Sequence, residues 1–271
     1  MSVVAEATAK DTRARLPISR LRVSTVLAPV LLGVAVVALW QVLVDHYDVS
    51  PLIIPAPDAV WAQVTDNRGS IVDGATVTGR NALLGLVGGA VVAIVGALVS
   101  HAVRFIDQMA VPVVAAASVV PIVALAPVLY TMFGAGNETG RVLVAALSVS
   151  VPVYLNTLRG LAQVKAVHRD LMTAYAATPT QVARTVTLPT ALPYVFTGLR
   201  IASSLAVISA LVAEYFGGPV GGLGKSITTS ASSSNYPLAY AYVLGAIALG
   251  IVFYVVTLLL ELWVTRHHPS T

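Results

Sequence analysis

Cysteine is absent from all 271 residues, which excludes a disulfide framework, thiolate metal ligands and a cysteine nucleophile, and leaves the redox compartment unspecified. Charge is the second scarcity. Asp, Glu, Lys and Arg make up 10% of the chain, against roughly 25% in soluble domains. Too few charged side chains exist to cover a globule of this size, so lipid must supply part of the solvent. The composition, 57% hydrophobic with a mean hydropathy of +0.84, equally excludes intrinsic disorder. The net charge is only +4, too small an excess for an extended nucleic-acid-binding face.

Crossing a hydrocarbon core of about 30 Å takes roughly 20 apolar residues in a helix, because no backbone polar group can be left unpaired in lipid. Six runs approach that length: 25–44, 82–103, 111–132, 142–158, 195–216 and 238–264. The third carries Pro112, Pro121 and Pro127. The expected fold is therefore an all-α polytopic membrane protein with about six transmembrane helices, flanked by a basic tail at 1–24 and a short tail at 265–271. With the N-terminus cytoplasmic, twelve of the sixteen Lys and Arg fall on the inner side; Arg68, Arg80, Arg141 and Lys225 are the outer four. That bias obeys the positive-inside rule and puts both termini in the cytoplasm. The first run is of full spanning length and lacks a small-residue cleavage site, so it reads as a membrane helix rather than a secretory signal. Segment 47–81, mostly polar and holding Pro51, Pro55, Pro57 and an amphipathic piece around Trp61, reads as an external interfacial stretch.

Two connections are too long to be turns. The cytoplasmic one, 161–194, has helical spacing of Leu171, Ala174, Tyr175, Val182 and Val186, divided by Pro179. It suits either an interfacial helix on the headgroups or a partner-docking helix. Pro189 and Pro193, each preceded by leucine, predict an extended corner feeding the fifth run. The external connection, 217–237, contains Gly224-Lys225-Ser226. This looks like the end of a phosphate-binding loop, but the glycine required five positions earlier is Pro219, which has no amide hydrogen. Among polar residues within runs, Glu214 reads as either a pathway residue or a snorkelling end residue. Arg200 reads as an interfacial anchor, Asn156 as interhelical glue, and Gly85 and Gly89 as sites of close helix approach. Ser118, Thr131, Asn156, Ser209 and Glu214 are the pathway candidates at membrane depth. No histidine shows metal-ligand spacing with carboxylates, and no catalytic constellation is present in the sequence.

The stretch from Ala176 through Pro179, Leu188-Pro189 and Pro193 to Gly198-Leu-Arg200 resembles the cytoplasmic signature of ABC importer permeases. That pattern runs Glu-Ala-Ala, three residues, Gly, nine residues, an aliphatic, one residue, Leu-Pro. Here Val186 takes the aliphatic position, Ala176 stands at the Gly, and Asp170-Leu171-Met172 replaces Glu-Ala-Ala. Ile54-Pro-Ala-Pro-Asp-Ala-Val-Trp61, the stretch from Pro121 to Pro127, Phe133-Gly-Ala-Gly136, 152–160, Ala213-Glu214 and Gly222-Leu-Gly224 are similar to the branch importing nitrate, sulfonates and taurine. The resemblance implies a prokaryotic multi-pass cell-membrane permease for a small organic or oxyanionic nutrient, working with a second permease copy as a homodimer and an external binding protein. It also implies that Asp170, Ala174, Ala176, Ala177, Thr178, Pro179, Leu188 and Pro189 dock a cytoplasmic ATPase dimer, which would bind the ATP and magnesium, so that this chain would carry no cofactor and no catalysis of its own. An ion-coupled secondary transporter using Glu214 is the alternative; it would call for intramembrane charges or repeated broken helices.

Overall fold

The computed structural model describes residues 18–134, 136–217 and 221–266. Most of the basic tail before Ile18, Pro219 and the end of the C-terminal tail lie outside the described residues. Among those described, every regular element is helical. One compact unit reaches to Asp58 and contains α1 (Ile18–His46). Within it, Gln41 holds the following loop: its Nε2 donates to Asp45, and its Oε1 accepts the Asp58 amide at 3.2 Å.

The second unit runs from Ala59 and contains most of α2 (Pro57–Asp66), then α3 (Arg68–Ala102), α4 (Arg104–Val119), α5 (Ala126–Phe133) and α6 (Thr139–Ala162). It continues through α7 (Ala166–Ala174), α8 (Pro179–Val182), α9 (Leu188–Tyr215), α10 (Leu223–Ser232) and α11 (Tyr236–Thr265). Among the described residues, five helical stretches are long and apolar enough to cross a membrane: Leu27–His46, Arg68–Ala102, Thr139–Ala162, Pro179–Tyr215 and Tyr236–Thr265.

The third predicted run does not form one rod. Pro121 disfavours helical backbone at Val120, which is extended at φ −67° and ψ 127°, and a 3₁₀ turn over Ile122–Leu125 follows. Pro127 then suits the first turn of α5. The second run differs in the other direction. Helix α3 has 35 residues, about 52 Å at 1.5 Å per residue, well beyond a hydrocarbon core. The polar residues before Asn81, read from sequence as an interfacial stretch, form its first four turns.

The centre of this unit is where α3, α6 and α9 cross. Its core is built from small residues: Ala82, Ala90, Ala93 and Ala97 of α3, Ala145, Val149 and Val153 of α6, and Ala202, Ala206 and Ala210 of α9. In lipid there is little hydrophobic drive between helices, so stability comes from close backbone approach. A Cβ on Gly89 would lie 2.4 Å from the Ala146 carbonyl oxygen, and one on Gly85 2.4 Å from the Ala145 Cβ. Gly160 and Gly198 do the same between α6 and α9, against Tyr194 and Asn156. Gly89→Val is therefore expected to destabilise the fold by about 1–3 kcal/mol through overpacking against immobile backbone. Gly88, with nothing within 4 Å of an added Cβ, is the control position. Thermal unfolding in detergent of Gly89→Val against Gly88→Val measures the difference.

Candidate functional site: an exposed helical loop and a buried ion pair

At one end of the bundle, α7, α8 and the π-helical turn Ala183–Thr187 contain no buried residue. Val167, Leu171 and Tyr175 recur every four residues, which aligns them on one face. They are 73%, 51% and 75% exposed. Helix α7 ends in a Schellman turn: the Ala176 amide donates to the Thr173 carbonyl and the Ala177 amide to the Met172 carbonyl. The turn places Ala176 at φ +50°. This is the position where the importer-permease pattern has glycine, and the geometry gives the reason: only glycine adopts that conformation without a Cβ penalty. The turn forms with alanine nonetheless. Ala176→Gly should stabilise the loop by about 1 kcal/mol, read as slower amide hydrogen exchange at Ala176 and Ala177.

Thr178 then caps α8. Its hydroxyl accepts the Gln181 amide while the Gln181 side chain accepts the Thr178 amide at 2.8 Å, a reciprocal capping box. Pro179 fills the first helical turn, where its missing amide hydrogen costs nothing. From Pro179 the chain stays helical for 37 residues to Tyr215. The extended corner predicted at 188–193 is thus absent. The Leu188 amide reaches back five residues to the Ala183 carbonyl, and this wider turn leads directly into α9. Pro189 sits in the first turn of α9 and Pro193 lies inside it. Asp170 is exposed on α7 and Ala174 closes that helix. The structure therefore gathers Asp170, Ala174, Ala176, Ala177, Thr178 and Pro179 in one exposed loop, with Leu188 and Pro189 at the foot of the rod it feeds.

At the other end of α9 lies a feature that the sequence reading did not assemble. The Glu214 carboxylate is fully buried and accepts hydrogen bonds from the Thr78 hydroxyl at 3.0 Å and the Gly224 amide at 2.8 Å. Arg141, also fully buried, places Nη1 3.8 Å from the Glu214 Oε1. The same Nη1 donates to the Gly221 carbonyl at 3.4 Å. Thr78 in turn accepts the Leu223 amide at 2.8 Å. Helix α10 is thus seated by its N-terminus on a carboxylate from α9 and a hydroxyl from α3, where the helix dipole favours negative charge. The glycines serve this seat. Gly222 is at φ +93° and a Cβ there would meet the Glu214 carboxyl carbon at 2.5 Å; one on Gly224 would meet the Leu211 carbonyl oxygen at 2.2 Å. Tyr130 of α5 donates to the adjacent Ala213 carbonyl at 2.8 Å. Of the amides in Gly224-Lys225-Ser226, those of Gly224 and Ser226 are engaged by the chain itself, on the Glu214 carboxylate and the Gly222 carbonyl.

Arg141, one of the four cations the sequence assigns to the outer side, is fully buried and paired with Glu214. Arg200, read as an interfacial anchor, pairs with Glu261 of α11 at 3.1 Å. Of the other pathway candidates, Ser209 is buried in α9, while Thr131 is exposed and donates to the Val128 carbonyl. Asn156 donates to the Pro152 carbonyl of its own helix at 2.8 Å, at the point where its Cβ faces Gly198. Ser118 falls in α4 with its side chain outside the described residues. These residues are not drawn into one constellation.

Long apolar helices crossing on small residues, a proline-rich exposed loop helically joined to one of them and, among the described residues, fully buried charge held as a pair define a polytopic helical membrane protein. Residues 85–271 match the family described as binding-protein-dependent transport system inner membrane component, and the chain belongs to that family. It is 35% identical over 171 residues to the riboflavin transport system permease protein of Chloroflexus aurantiacus, a match covering 62% of each chain and so less than two thirds of that relative. It is 28% identical to the formylaminopyrimidine transport permease protein of Halalkalibacterium halodurans, over 70% of this chain and 76% of that one. The taurine transport system permease protein of Escherichia coli K12 is 35% identical over 53% of this chain and 49% of its own. In fold, a chain of the inward-facing MetNI methionine ABC transporter aligns with a TM-score of 0.65 at 16% identity, over 74% of this chain and 99% of that one. The chain is thus an inner-membrane, multi-pass ABC permease component.

Proposed function

We propose that this chain is the translocation subunit of an ATP-driven importer for a small organic or oxyanionic solute, with both termini and the α7–α8 loop in the cytoplasm. The observation that carries the reading is the loop itself. It exposes an apolar stripe of Val167, Leu171 and Tyr175 outside the bundle, and after the Schellman turn it continues from Pro179 as one helix into α9. An ATPase seated on that stripe would move α9 as a rigid body, which is how closure on nucleotide would reach the far end of the bundle. In this reading the ATPase dimer holds ATP and magnesium and does the hydrolysis, a second copy of the chain completes the pathway, and an external binding protein delivers the solute. The relatives named for riboflavin, formylaminopyrimidine and taurine support a small nutrient without choosing among them. Thr131, Asn156 and Ser209 are the hydroxyl and amide groups offered as pathway contacts.

Because the chain has no cysteine, orientation is testable on a clean background. Thr180→Cys in the loop and Ser233→Cys after α10 are each exposed. In sealed inside-out vesicles, a membrane-impermeant maleimide should label the first and spare the second. The reverse pattern would remove the docking loop from the cytoplasm and end this reading.

A further inference from the structure

One buried group is left without a role by the reading above. Asn81 of α3 is fully buried, and neither its Nδ2 nor its Oδ1 has a hydrogen-bond partner. Leaving both halves of an amide unpaired in a dry interior is costly. Asn81 follows Thr78 by three residues, which puts both on the same face of α3 one turn apart. The neighbours fix what that face touches. Gly74, the turn before Thr78, packs on Leu223 of α10, and Gly85, the turn after Asn81, packs on Val142 and Ala145 of α6. Asn81 therefore lies between the seat of α10 and the α3–α6 crossing, beside the stretch of α6 that carries Arg141. Since Asn81 has no exposed surface within its own chain, a neighbouring copy or a lipid cannot pair with it in this arrangement. A shift of the packed helices can.

We infer that the Glu214 carboxylate has two seats on α3, Thr78 in the present state and Asn81 in a second, and that moving between them unseats α10. The chemistry is complementary. In the first seat the carboxylate accepts from Thr78 and Gly224; in the second it would accept from the Asn81 Nδ2, which has no other acceptor. The displacement is about 4.5 Å, three residues at 1.5 Å each, the scale of a one-turn ratchet between packed helices. Gly222 and Gly224 leave no side chain over the carboxylate to block the path. Helix α10 would then lose the carboxylate that holds its Gly224 amide and keep only the Thr78 hydroxyl on its Leu223 amide. Glu214, Thr78 and Asn81 are positioning residues for this step. The inference rests on the permease reading only for what drives the shift; the two seats belong to the chain itself.

The test uses the full chain in liposomes with a single Ser230→Cys, which lies on the packed face of α10 and reacts with a small maleimide only when α10 lifts. Thr78→Val removes the hydroxyl from both the Glu214 carboxylate and the Leu223 amide, and should raise the labelling rate at least about tenfold, the effect of one hydrogen bond to a charged group. Adding Asn81→Leu removes the second seat, so labelling should fall back toward the slow rate of the parent chain. Thr78→Ser, which keeps the hydroxyl, should label like the parent, and Thr78→Ala takes the place of Thr78→Val if the latter does not fold. A merely structural polar cluster predicts the opposite for the double variant, which would be looser than either single one. The inference is overturned if Thr78→Val labels like the parent, or if its fast labelling persists or increases with Asn81→Leu. None of these rates requires an ATPase, so a chain that fails to bind one would sink the permease reading and leave this result standing.

Discussion

Arg141→Met is expected to destabilise the protein by about 3–5 kcal/mol, the largest single effect on folding that the structure implies, because it strands the fully buried Glu214 carboxylate without its counter-charge. Truncating one member of a buried pair costs more than the pair contributes, since both charges have already lost their water. The double variant Arg141→Met/Glu214→Leu should therefore recover a large part of the loss. It will not recover all of it, because Thr78 and the Gly224 amide lose their acceptor. A double-mutant cycle on thermal unfolding in detergent gives the coupling energy directly. Additive effects would mean that the two side chains do not interact in the folded protein.

The second large effect is on coupling rather than on folding. Tyr175→Glu places a charge at the C-terminal end of the exposed apolar stripe, and Ala177→Glu places one on the Schellman turn that follows it. Neither position is buried, so the fold should tolerate both within about 0.5 kcal/mol. A desolvated, unpaired carboxylate in an interface with the ATPase should lower affinity at least tenfold. The check is copurification of a co-expressed ATPase with each variant at wild-type yield and melting temperature. Loss of the ATPase with the fold intact locates the docking surface. Retention by both variants would move it elsewhere.

The spans were legible because lipid imposes a strong constraint: uninterrupted apolar runs of adequate length almost have to be helices. The helical, exposed character of the 161–194 connection is legible too, since Pro179, Pro189 and the spacing of Leu171, Tyr175 and Val182 set it apart from a turn. What failed was local. Pro189 and Pro193 were read as an extended corner, yet a proline in the first turn of a helix is well placed, and the wide turn ahead of it lets the rod continue. The third run reads from sequence as one helix, although Pro121 and Pro127 mark where it breaks. The first four turns of α3 were missed because polarity there reports water, not the absence of helix. Arg141 and Glu214 were each judged alone, at the margins of separate apolar runs. Two opposite charges at membrane depth are better read together, as partners, and that signal was present in the sequence. The Gly222-Leu-Gly224 segment likewise acquired its meaning only when Glu214 was found against its amides.

Coupling of this chain to ATP is the central feature of the proposed function. The decisive measurement is uptake of a candidate solute into liposomes holding the chain and its ATPase, with the binding protein supplied on the α10 side and ATP on the α7–α8 side. The account predicts ATP-dependent uptake that requires the binding protein and disappears in Tyr175→Glu. Uptake that follows an ion gradient without ATP, and is indifferent to Tyr175→Glu, would contradict it.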